Sequence, residues 1–121
     1  LDMAAQVLSG TGPLTYTNNT GENVRIVINF IDVGGTAATM SFGGGASVTL
    51  DGGNRYGKNL AFRSASSHAS MNGINVDGGN SQGGRPGVPM ELGLASGDTF
   101  SISSPSQGPA NYNIIVIPES G

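Results

Sequence analysis

The sequence predicts an all-β protein, a single domain over residues 1–121 folded as an antiparallel β-sandwich with jelly-roll-like strands. Three observations lead there. Apolar residues recur with period two, which places alternate side chains on one face of a strand. The apolar runs are rich in β-branched residues, which suit a pleated surface better than a helix. Gly, Asn and Pro punctuate the chain at intervals of about ten residues, the spacing of a sandwich or small barrel. No segment carries the capped pattern of a helix, and no break in composition argues for a second domain.

The elements follow in order. "GPLTYTN" is a short strand opened by a proline corner. "NVRIVINFIDV" is the longest alternating run, with Val24, Ile26, Ile28 and Phe30 on one face and Arg25, Val27, Asn29 and Ile31 on the other. Ile28 and Phe30 are therefore expected as inner-core anchors. "TAATMSFG" is a further short strand, and "ASVTLD" sets Val48 and Leu50 against Ser47 and Thr49. Residues 63–89 are looser, with "NLAFRS" and "MNGINV" as short strands at and within their margins and a long glycine-rich loop. "VPMELGL" places Val88, Met90, Leu92 and Leu94 on one face. "DTFSIS" alternates Phe100 and Ile102 against Thr99, Ser101 and Ser103.

The last run, "NYNIIVIPESG", has four consecutive apolar residues, Ile114, Ile115, Val116 and Ile117. One core takes only every second side chain of a strand. Tyr112 shares a face with Ile114 and Val116, whereas Asn111 and Asn113 share one with Ile115 and Ile117. An aromatic enters a core more readily than an asparagine does, so Tyr112, Ile114 and Val116 are expected inside. A strand that is apolar on both faces is covered on both. Ile115, Ile117, Val27 and Ile31 are therefore the expected subunit interface, closed by another copy in a homo-oligomer. The competing expectation is that the loop around residues 78–87 folds over this face.

Charged residues make up 11% of the chain, against about 25% in an ordinary soluble domain. Interface cores are depleted of charge in the same way. The basic residues Arg25, Arg55, Lys58, Arg63 and Arg85 form no stripe, which argues against nucleic acid. No apolar run approaches the roughly 18 residues of a membrane span, so membrane insertion is not expected. The absence of Cys excludes disulfides and thiolate metal sites. His68, the single histidine, lies among serines in "SASSHAS", but no G-x-S-x-G elbow accompanies it. It reads as a solvated or interface residue. Asp51, Asp77 and Asp98 sit in turns, where Asp usually bonds its own backbone. "NVDGGN" offers Asn75, Asp77 and Asn80 as oxygen ligands without the spacing of a calcium loop. No catalytic, cofactor or metal residue is assigned, and the chain reads as non-enzymatic. Asn18-Asn19-Thr20 is a formal glycosylation sequon. Asn54, Arg55 and Tyr56 are the candidate glycan contacts of an alternative reading, a carbohydrate-binding module for a cell-surface glycan.

"YNIIVIPE", following "LASGDTFSIS" and a short Ser/Pro/Gly loop, resembles the C-terminal part of small β-sandwich virion proteins of tailed bacteriophages. Fibre, appendage and decoration proteins of phages infecting marine bacteria and cyanobacteria look similar. "GPLTYT", the Asn-rich turn and "NVRIVINFI" match the opening of such proteins, so the resemblance covers residues 11–31 and 88–119. It implies a trimeric structural subunit in a virion or extracellular setting, with other virion proteins and a host surface glycan as partners. It implies no catalytic residue.

Overall fold

The computed structural model describes residues 4–58, 70–71, 74–75, 90–104 and 108–120. Its strands, in chain order, are β1 (Gln6–Gly10), β2 (Leu14–Thr17), β3 (Val24–Asp32), β4 (Ala38–Ser41), β5 (Ser47–Leu50), β6 (Arg55–Tyr56), β7 (Ser70–Met71), β8 (Ile74–Asn75), β9 (Glu91–Leu94), β10 (Thr99–Ser103) and β11 (Asn111–Pro118). A 3-10 turn, Gly43–Gly45, joins β4 to β5.

These strands form two antiparallel sheets packed face to face. The first has the order β1-β11-β3, and the far edge of β3 pairs with β9 along its first half and β6 along its second. The second has the order β2-β10-β4-β5. β7 and β8 pair with each other. The fold is the expected all-β sandwich. Its core lies between the sheets. Ile26, Ile28, Ile114, Val116 and Leu94 come from the first sheet, and Met40, Leu50, Phe100 and Ile102 from the second. Tyr112, Ile114 and Val116 do face inward, with Tyr112 packed at the margin of the core.

β3 departs from strict alternation. Asn113 of β11 faces Phe30, but the next residue, Ile114, faces Ile28, so Asn29 has no counterpart. This is a β-bulge, which turns every later side chain to the opposite face. Ile31 and Val33 therefore enter the core, and Phe30 is turned out of it. Two expectations are corrected together. Phe30 is not an inner-core anchor, and Ile31, at 0% exposure, is not available to a subunit interface.

The bulge marks where β6 hands over to β9. The Lys58 amide donates to the Ile28 carbonyl at 2.8 Å, and the Ile28 amide donates to the Met90 carbonyl at 2.7 Å. Gly57 is obligatory here. Its φ is +128°, and a Cβ would come within 2.6 Å of the Asn29 carbonyl oxygen. Met90, expected beside Leu92 and Leu94, lies one residue before β9 and is 39% exposed. Val88, "NLAFRS" and the loop of residues 78–87 lie outside the described residues.

Asn18 ties the turn before β3 to the end of β9. It is fully buried, and its Nδ2 donates to the carbonyls of Glu22 (2.8 Å) and Leu94 (2.9 Å). Its Oδ1 accepts from the Thr20 amide (3.1 Å) and the Thr20 hydroxyl (2.6 Å). Every hydrogen-bonding position of the amide is thus used, as burial requires. The sequon at Asn18 is consequently closed to glycosylation in the folded chain, since its acceptor nitrogen is buried and donates twice.

Candidate functional site

The first sheet turns one face to the core and the other away from the second sheet. Residues paired directly across antiparallel strands share a face. The registers Val7↔Ile115, Ile115↔Val27 and Val27↔Glu91 therefore set one row across four strands. Ile117 and Arg25 form the next row on one side, and Ser9, Asn113 and Phe30 the row on the other. Val7 is 59% exposed, Ile115 and Ile117 are half-buried, and Val27 is buried without belonging to the core cluster. The face thus carries an apolar centre of Val7, Val27, Ile115 and Ile117.

Polar groups border this centre at both ends. At one end Arg55 grips Asp32 bidentately, Nε to Oδ1 at 2.7 Å and Nη2 to Oδ2 at 2.9 Å. Asn111 donates to the same Asp32 Oδ2 at 2.9 Å. The guanidinium lies 4.3 Å from the centroid of the Phe30 ring, and its hydrogen bonds to Asp32 raise its pKa further above the usual value. Asn29 Nδ2 donates to Asn113 Oδ1 at 3.0 Å, so the bulge residue itself joins this polar border. At the β9 end, Glu91 pairs with Lys58 and, at 3.4 Å, with Arg25.

Phe30→Ala is expected to cost about 1 kcal/mol, the scale of an exposed cation–π contact. The 3–5 kcal/mol typical of a buried Phe would place the ring back in the core. Urea unfolding distinguishes the two.

The hydrogen bond from Lys58, aided by the charge of Arg25, holds the Glu91 carboxyl below the ordinary glutamate range. A carboxyl with a depressed folded pKa stabilises the fold above its unfolded pKa, about 4.3, and loses that contribution as pH falls through the folded value. Native protein should therefore lose more stability than Glu91→Gln between neutral pH and the region below about 4.3. Parallel denaturation series at neutral and acidic pH check this. Identical losses would mean that the pair contributes nothing.

Asn54, Arg55 and Tyr56 do not form an exposed platform. Asn54 is 0% and Tyr56 2% exposed. The Tyr56 hydroxyl accepts from the Asp51 amide at 3.0 Å, and Arg55 is engaged by Asp32. The three residues pin the turn before β6 to the sheet, so their expected role as a glycan contact is corrected. β6 pairs Tyr56 with Ile31, which carries the phenol ring inward. His68 and Asp77 lie outside the described residues. Two clefts remain. One, about 470 Å³, is lined by Thr11, Gly12, Gly34, Gly108, Pro109 and Ala110 and offers no titratable side chain. The other, about 460 Å³, runs beside β9 along Arg25, Glu91, Leu92 and Glu119. Among the described residues, no group of three or more His, Asp or Glu stands together as a metal site.

Val7 is the residue of this face that sequence reasoning missed. "QVLSG" is short and uncharged, and its two apolar residues are adjacent, so period two had nothing to act on. Comparison with family models, curated protein sequences and solved structures returned no match to the chain.

Proposed function

We propose that the chain is a non-enzymatic structural subunit of an extracellular assembly, a component of a bacteriophage virion of the decoration, fibre or tail kind. It acts by packing. The outer face of its first sheet is closed by other copies of itself, with three as the expected number. The observation that supports this reading is the apolar centre of Val7, Val27, Ile115 and Ile117 on the face of the first sheet turned away from the core. Apolar side chains grouped on an outer sheet face, with Val7 59% exposed among them, suit a binding surface. The polar borders around Asp32–Arg55 and Glu91–Lys58 fit the rim of such a contact. The virion setting rests on the resemblance of the "YNIIVIPE" ending.

Ile115→Ser with Ile117→Ser tests the packing directly. Both side chains leave the core untouched, so the variant should stay folded by circular dichroism and fall to monomer mass in sedimentation. A variant that keeps the native oligomer would show that this face is not the contact. A map of an intact particle carrying the chain tests the virion setting. Binding of the isolated chain to a glycan array would instead favour the carbohydrate-binding reading, through a surface other than Asn54 and Tyr56.

A further inference from the structure

The apolar row on the first sheet is guarded at one border and open at the other. At the β9 border Val27 meets Glu91, which holds Lys58 and Arg25 around it. At the opposite border the row ends in Val7, the most exposed large apolar residue described, on an edge strand. Among the described residues β1 pairs with β11 alone, and its five-residue register runs without a shift. An edge strand leaves a row of backbone donors and acceptors free, and soluble proteins normally blunt it with Lys, Pro, a bulge or an inward charge. "QVLSG" has none of these.

We propose that β1 is a self-pairing edge: the β1 strands of two copies pair antiparallel about Val7 and join two first sheets into one. A second copy is the occupant because the strand is uncharged. It can lie against itself with no like-charge contact, which a charged edge cannot do. Centring the pair on Val7 places the two Val7 residues opposite each other. The row Val27–Ile115–Val7 then continues into Val7–Ile115–Val27 of the second copy, an unbroken apolar stripe across the joined sheets. On the inner side Leu8 meets Gln6. This rests on the reading of the chain as a self-assembling subunit, and it adds a contact along the β1 backbone to the sheet face of which Val7 is the outermost member, so it links one face-packed oligomer to the next.

The chain has no Cys, so a single introduced cysteine reports on its own contacts. In the Val7-centred register, Val7→Cys sets two Cα atoms about 4.5–5.5 Å apart, within the span a disulfide bridges. Ser9→Cys lies on the same face and is also exposed, but its two copies stand roughly 14 Å apart, four residues along the strand. Under mild oxidation at micromolar concentration, Val7→Cys should form a covalent dimer at least tenfold faster than Ser9→Cys. Equal rates for the two cysteines would mark chance collision and overturn the proposal. Oligomeric protein with no Val7→Cys linkage would overturn edge pairing and leave the face reading standing. Monomeric protein with no linkage would overturn both.

Discussion

Replacing Ile114 and Val116 together by Ser is expected to abolish folding. Both side chains are essentially unexposed, 0% and 1%, and both point between the sheets from β11, the strand that joins β1 to β3. Each loss of a buried aliphatic costs about 2–5 kcal/mol. Each new hydroxyl, buried without a partner, adds about 1–3 kcal/mol. A domain of this size is stable by about 5–15 kcal/mol in total. The double substitution therefore removes most or all of the stability. Soluble yield and near-ultraviolet dichroism read the outcome. A folded 114/116 variant beside an unfolded 115/117 variant would mean that the faces of β11 are reversed.

Phe100→Ala should give the largest loss among single core substitutions. Phe100 is 0% exposed and sits opposite Tyr16 in β2, with its ring stacked on Phe42 at a centroid distance of 6.5 Å. No neighbouring side chain can fill the space of a phenyl ring without leaving its own rotamer, so a cavity remains. The expected cost is about 3–5 kcal/mol, read as a shift of the urea midpoint at unchanged slope. A loss below about 1 kcal/mol would mean that the sheets close over the gap, and that the ring is not what separates them.

What was legible in the sequence depended on whether local pattern alone decides the outcome. The faces of β11 were legible because Tyr112 and the two asparagines differ in their preference for a core, and the strand is regular from Ile114 onward. "DTFSIS" was legible because alternation there is strict and the outward residues are all hydroxylic. The bulge at Asn29 was not. Val24 to Ile31 supply apolar residues for either face, so a slip of one residue costs the pattern nothing. Only the pairing partners reveal it: Asn113 and Ile114 on one side, and the change from β6 to β9 on the other. β6 was hidden for a related reason. Its two residues lie in the turn-like "DGGNRYG", and Tyr56 becomes part of a strand only by pairing with Ile31. A turn would leave Asn54 and Tyr56 at the surface, whereas the strand pairing buries both. β1 was missed because an edge strand owes its shape to its neighbour and not to its own periodicity.

Closure of the outer face of the first sheet by further copies of the chain, as proposed, makes the native protein an oligomer. The most direct measurement is the mass of the native protein in solution by multi-angle light scattering at micromolar concentration. The expected mass is a multiple of 12.1 kDa, with three copies as the unit. A single species at 12.1 kDa, unchanged when Ile115 and Ile117 are replaced by Ser, would contradict it.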